Sequence, residues 1–169
     1  MKKLLFIITT ILLVSCNQTK IAYVDFEVLM NEYEAVKVQR GQLEEKQEMY
    51  TRELDELQAQ FQTKVQEYYK NSSSMTPSKR TETENSLKQE QQTIQARQQQ
   101  ASEELQKQNQ ENNDIFTFTV DSIATIYAKE EGYNLILRSL GNSDVIYGDK
   151  TVNITPNVLE ILNNNPLME

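Results

Sequence analysis

The side chains that ordinarily carry enzyme chemistry are scarce in this chain. It has no histidine and a single cysteine, so imidazole general bases, histidine triads and histidine-ligated zinc are excluded, and no disulfide can close within the chain. Its 25 Asp and Glu residues are numerous enough that some will lie side by side by chance, so a carboxylate pair carries no weight as a hydrolytic site. No catalytic residue, cofactor or metal is expected, and the chain reads as a non-enzyme. Its net charge is −8, and two charges more negative without Lys2 and Lys3. Phosphate backbones are repelled by such a balance, which excludes nucleic acid as a general partner.

The remaining reactive group is the Cys16 thiol, and its setting is informative. Met1-Lys2-Lys3 is a short basic segment, and residues 4–14 form an apolar run too short to span a bilayer as a mature helix. Residues 1–15 are therefore expected to be an export signal. Leu13-Val14-Ser15-Cys16 resembles the lipobox of bacterial lipoproteins, in which cleavage precedes the cysteine and its thiol is diacylated. The resemblance implies a lipid anchor at Cys16, each buried methylene contributing about 0.8 kcal/mol, on a tether over residues 16–19. Asn17, which follows, is compatible with transfer to the outer membrane.

Most of the mature chain is helical in pattern. Leu43, Tyr50, Leu54, Leu57, Phe61, Val65 and Tyr68 recur at steps of three, four and seven, as do Leu87, Ile94, Ala101, Leu105 and Ile115, with Phe116, Val120, Ile123 and Tyr127 beyond them. Such spacing places a narrow apolar stripe on each of two long helices. At about 1.5 Å per residue they would be roughly 65 and 80 Å long. The polar stretch 71–78 joins them too tightly for anything but an antiparallel hairpin over 28–131. Thr76 and Pro77 suit the start of the returning leg. Gln47, Gln91, Gln98, Gln108 and Asn112 fall at seam spacing and should weaken the pairing while restricting its register. Gly41 lies inside the first helix and is a hinge candidate. Residues 89–113 are rich enough in Gln to be disordered, but Leu87, Ile94, Ala101 and Leu105 and the absence of Gly and Pro favour helix. Acidic residues outnumber basic ones ten to four over 25–60, whereas charge is near balance around the tip. There Tyr68, Tyr69, Met75, Lys64, Lys70, Lys79 and Arg80 are candidates for contact with a partner.

The chain ends carry β-forming runs. Ile21 to Val24 reads as a strand, with Asp25 as the N-cap of the following helix. Gly132 should close the long returning helix, Tyr133 to Leu140 form a second strand, residues 141–144 turn, and Val145-Ile146-Tyr147 return as a third. Thr155 as N-cap and Pro156 at the first helical position start a last helix. Residues 20–27 and 132–169 thus make a β-body too small to stand alone, with open strand edges. Self-association follows, with Ile21, Tyr23, Val24, Leu135, Ile136, Leu137, Val145 and Ile146 as candidates. The fold class is mainly α with a small β head, a long antiparallel helical hairpin (a coiled-coil arm) being inserted between strands of a small oligomeric β-body.

In this order, Ile21-Ala22-Tyr23-Val24-Asp25, Val28-Leu29, Tyr33, a long hairpin, Gly132-Tyr133-Asn134-Leu135-Ile136-Leu137 and Asn153-Ile154-Thr155 with Val158, Leu159 and Leu162 resemble the OmpH/Skp family of periplasmic chaperones. That resemblance implies a homotrimer whose arms enclose unfolded outer-membrane or envelope proteins without nucleotide. The chain departs from well-known members in being acidic and in carrying the lipobox, which implies a chaperone held at a membrane surface, in the periplasm and anchored by lipid to the outer membrane. The alternative is a lipid-anchored coiled-coil spacer or scaffold of the cell envelope.

Overall fold

The computed structural model describes residues 19–140 and 145–164. The signal segment, Cys16 and the turn expected at 141–144 lie outside the described residues. The elements are β1 (Ile21–Asp25), α1 (Phe26–Glu32), α2 (Glu34–Asn71), a 3-10 turn (Ser72–Ser74), α3 (Pro77–Glu131), β2 (Leu135–Ser139), a second 3-10 turn (Lys150–Val152) and α4 (Thr155–Asn164). They group into two compact units. One, the head, holds residues 19–33 with the described part of 119–164; the other, the hairpin, holds residues 34–118.

In the head, β1 and β2 pair in parallel from Ile21↔Leu135 to Asp25↔Ser139. A parallel pair needs a long crossover, and here α1, α2 and α3 all lie between the two strands in sequence. The pairing begins where α3 stops. Gly132 adopts φ 72°, a left-handed conformation open to glycine, and the Tyr133 N–H donates to the Ala128 carbonyl at 2.9 Å, which closes the helix as a Schellman cap. Asn134 then donates its N–H to the Lys20 carbonyl and accepts the Lys20 N–H on its side chain, both at 2.8 Å.

Asp25 ends β1 and caps α1, its carboxylate accepting from the N–H groups of Glu27 and Val28 at 3.0 and 3.1 Å. The long first helix expected from Val28 onward is interrupted. Tyr33 is extended (φ −70°, ψ 121°), and its N–H closes α1 on the Leu29 carbonyl. The break coincides with burial of the Tyr33 ring: large aromatic surface placed in the head offsets the loss of helical continuity. Ala22, Val24, Phe26 and Leu29 are buried in the same unit, as are Val120, Ile123, Ile154, Val158 and Leu162. Fully buried Leu or Val side chains each contribute roughly 1.5–3 kcal/mol.

Two readings at the C-terminal end are corrected. Val145 to Tyr147 form no strand; the further partner of β1 is Asn153, which bridges to Tyr23 in parallel, while the Ile154 N–H donates to the Tyr23 carbonyl. Three β-forming residues followed by Gly148 and Asp149 have too little length for a ladder, and Asp149 instead caps the 3-10 turn through the Thr151 N–H. Thr155 is not the cap of α4. Ile154 takes that place, its carbonyl accepting from Val158, and the buried Thr155 hydroxyl accepts the Asp25 N–H at 2.8 Å. That bond ties α4 to the end of β1.

The hairpin unit consists of α2, the tip and α3 as far as residue 118. Tyr50, Ile94, Ala101 and Phe116 are buried in it, and Leu43, Leu54, Leu57, Phe61, Val65, Tyr68, Leu87 and Leu105 are half-buried. Ile115, expected on the seam, is exposed, and its neighbour Phe116 is buried instead. At the tip, the Thr76 hydroxyl accepts the Lys79 N–H and the Thr76 carbonyl the Arg80 N–H, so Thr76 caps α3 with Pro77 as its first residue.

Candidate interaction surfaces

Side-chain alternation decides what the head presents. In β1, Ala22 and Val24 are buried, whereas Ile21 remains 43% exposed; its registered partner Leu135 is 47% exposed, and Leu137, opposite Tyr23, is 44% exposed. Successive strand residues point to opposite faces, so Ile21, Tyr23, Leu135 and Leu137 share one open apolar face. The expected self-association set is thereby divided. Val24, and Ile136 registered opposite Ala22, fall on the other face by the same alternation, Val24 buried and Ile136 half-buried, so neither belongs to the open face. Gly148 lies against that face: a Cβ there would fall 2.3 Å from Cε1 of Tyr23. Just before it, Ile146 is 98% and Tyr147 84% exposed, and Leu140 is exposed too, while Val145 is half-buried. Tyr147 and Leu140 were missed in the sequence, where β-pattern alone guided the choice.

The head also carries an open groove of about 450 Å³ along β2, its lining including Leu135, Ile136 and Leu137 with Phe26, Ala124 and Arg138. Arg138 sits over the Phe26 ring at 4.3 Å and grips both Asp121 carboxylate oxygens at 2.7 Å. Lys20 closes the N-terminal end of the strand, over the Tyr133 ring at 4.0 Å and donating to the Glu131 carbonyl at 2.7 Å.

The hairpin is bridged by a series of polar pairs. Lys46 donates to Gln108 at 2.9 Å, the Tyr50 hydroxyl to Glu104, Arg97 to both oxygens of Glu53 at 2.7 Å, Lys64 to Glu90 at 2.6 Å, and the Tyr68 hydroxyl to Glu84. Partners descend along α3 as α2 ascends, which fixes an antiparallel register. The Arg97 fork is bidentate, and its guanidinium also lies over the Tyr50 ring at 5.0 Å. Around this node charges are tuned by contact. The Tyr50 hydroxyl and then Gln100 hold Glu104 below the usual carboxylate range, Arg97 does the same to Glu53, and the bond to Glu104 pushes the Tyr50 phenol up. Tyr68 is raised likewise by Glu84.

These pairs also revise the polar seam. Gln108 and Asn112 are half-buried, but Gln47, Gln91 and Gln98 are exposed; steps of seven leave open which flank of a stripe a residue occupies. Of the tip candidates, Lys64 and Tyr68 bridge the legs, Lys79 pairs with Glu82 at 3.0 Å, and Arg80 donates to the Ser72 carbonyl at 2.8 Å. Tyr69 is 73% exposed, its ring 5.6 Å from that of Tyr68; Lys70 is exposed and Met75 half-buried. Exposed apolar residues of the hairpin that were not singled out in the sequence include Val38, Met49 and Phe118. Val38 and Met49 are eleven residues apart, about three helical turns, and so share a face.

Among the described residues no group of three or more Cys, Asp or Glu is placed to hold a metal ion, and no helix is long and apolar enough to cross a membrane.

Comparison with known proteins gives a family match over most of the chain: the family of outer membrane proteins described as OmpH-like matches residues 20–162. No protein with a curated description matches. Among solved structures, one described as an outer membrane chaperone (OmpH-like) from Caulobacter crescentus superposes with a TM-score of 0.78. The alignment covers 86% of this chain and 85% of that one at 10% identity, a likeness of fold.

Proposed function

Because the chain belongs to the OmpH-like family, we propose that it is a chaperone of the cell envelope: an ATP-independent holdase that keeps unfolded outer-membrane or envelope proteins from aggregating. The observation that carries this reading is the extent of the family match, which takes in both the head and the hairpin. The surfaces support it. The hairpin offers scattered exposed apolar groups, Val38, Met49, Tyr69 and Phe118, and many weak contacts suit clients of varied sequence. Lys70, Tyr69 and Met75 are the tip residues retained as client contacts; Lys64, Lys79, Arg80 and Tyr68 serve the hairpin itself.

Self-association, as a homotrimer, would run through the open face of Ile21, Tyr23, Leu135 and Leu137, joined by Ile146. Such an apolar face on a two-stranded sheet is stabilised by pairing with further copies. The location proposed is the periplasm, with Cys16 holding the chain to the outer membrane by lipid. Membrane recovery of a Cys16→Ala variant would refute the anchor.

Light scattering tests the function. The mature, unlipidated protein at near-stoichiometric amounts should suppress aggregation of a urea-denatured outer-membrane β-barrel on dilution. No suppression would sink the holdase reading in favour of an envelope spacer.

A further inference from the structure

The point at which the chain enters the head is held in place. Lys20 donates its N–H to the Asn134 side chain at 2.8 Å and its amine to the Glu131 carbonyl at 2.7 Å, and the amine lies 4.0 Å from the centre of the Tyr133 ring. The two parallel strands start here, Ile21 opposite Leu135. One end of the sheet, the Gly132 turn and the end of α3 are thus gathered around Lys20. With a lipid on Cys16, four residue steps separate the anchored residue from Lys20, at most about 14 Å of extended chain. The headgroup layer on each side of a bilayer is itself roughly 5–8 Å deep. The end of the head that carries Lys20 is therefore the end that such an anchor brings to the membrane.

Its surface has the composition that this position requires. Tyr127 and Tyr133 stack with ring centroids 6.1 Å apart and are both half-buried. Tyrosine sets an apolar body and a polar hydroxyl at headgroup level. The Lys20 side chain is 44% and the Glu131 side chain 51% exposed, and Lys129 and Glu130 beside them are exposed too. These two cations and two anions cancel, whereas the whole chain carries −8. Anionic lipid attracts basic segments and repels so acidic a protein. The balanced end escapes that repulsion, and its paired signs match the phosphate and ammonium of a zwitterionic headgroup.

We propose that this end of the head, formed by Lys20, Tyr127, Lys129, Glu131 and Tyr133, is a docking surface for zwitterionic phospholipid headgroups. The proposal rests on the lipid anchor at Cys16 and adds which part of the protein lies on the bilayer and which headgroups it takes. Because the signs are matched in pairs and leave no net charge, docking needs no anionic lipid.

The test places the lipidated protein, its lipid confirmed by mass, on vesicles of phosphatidylethanolamine and phosphatidylcholine, and compares its amide hydrogen exchange with that of the soluble Cys16→Ala protein. Exchange over residues 19–21 and 130–134 should slow about tenfold on the vesicles, equivalent to about 1.4 kcal/mol, while residues 150–152 are unchanged. Thr19→Glu/Lys129→Glu puts acid on the docking end at two exposed positions. Lys150→Glu/Asn157→Glu adds the same charge at exposed positions elsewhere on the head. The first variant should stay on the vesicles through its lipid but lose the slowed exchange; the second should keep it. Several results overturn the proposal while leaving the anchor standing: no slowing in the lipidated natural protein, slowing that survives in the first variant or vanishes equally in both, or slowing that requires anionic lipid. A natural protein that carries no lipid overturns the anchor, and the proposal with it.

Discussion

On the self-association proposed for the open face of the head, placing acid there should separate the copies without unfolding any of them. Leu135 and Leu137 are 47% and 44% exposed, so a little under half of the roughly 1.5–3 kcal/mol available from burying each side chain is still unrealised in the single chain. That amounts to about 0.7–1.4 kcal/mol per residue gained on assembly. Ile146, at 98% exposed, can contribute nearly its full share. In Leu135→Asp/Leu137→Asp the two leucines lose their part, and each carboxylate must either be buried without a partner, at several kcal/mol, or keep the face open to water. Since about 1.4 kcal/mol is a factor of ten, association should weaken by at least about a hundredfold. Sedimentation velocity across a concentration series measures this, with far-UV circular dichroism to show that helix content is retained. The reasoning is refuted if the double variant sediments as the natural protein does at every concentration.

Four other substitutions or conditions bear on the internal structure. Gly148→Ala places a Cβ 2.3 Å from the Tyr23 ring, so thermal denaturation should show a loss of about 1–3 kcal/mol, with Tyr23→Ala in the same chain recovering part of it. Thr155→Val keeps the side-chain shape but leaves the Asp25 N–H without its acceptor; urea titration should show about 1–3 kcal/mol of destabilisation. Gly41→Ala adds a Cβ that meets nothing within 4 Å and should stabilise the hairpin by about 1 kcal/mol, with slower amide exchange around residue 41 if that glycine is the bending point. Glu53 and Glu104 have folded values held below their ordinary 4.5, so their stabilisation is complete above pH 4.5 and is lost as pH falls through the folded values. The Tyr50 phenol is raised above 10.0, so its part is present below that pH and lost as pH rises through the folded value. Melting of the hairpin should be flat between these limits and fall on both sides.

Local signals in the sequence were reliable where the structure they specify is local. Asp25 as a cap, Gly132 as a terminator and Thr76-Pro77 as a helix start each depend on neighbours within a turn, and each is found. Failures arose where a distant partner decides. Tyr33 lies in a stretch that would continue a helix by propensity, but burial of its ring makes the chain extended there. Thr155 has the chemistry of a cap and spends its hydroxyl on Asp25, 130 residues away. Val145 to Tyr147 have the composition of a strand but no ladder among the described residues, because propensity reports suitability for a sheet rather than the presence of a neighbour. The pairs Lys46 with Gln108 and Glu53 with Arg97 were hidden for the same reason, since identifying them requires the register of two legs.

That register explains why so weakly apolar a hairpin has one alignment. Its buried layer is thin: Tyr50, Ile94, Ala101 and Phe116 are the apolar residues fully inside it, and small or aromatic groups so far apart would tolerate a slip of one turn. The polar bridges do not. Moving α3 by one turn would set Glu53 away from Arg97 and Glu104 away from the Tyr50 hydroxyl, and would leave partly desolvated carboxylates without donors. Each bridge is too exposed to stiffen the legs much, so the same residues that specify alignment leave the hairpin compliant between them. The proposed holdase role would use this division: legs that bend around clients of different bulk, and a pairing that returns to one register after each release.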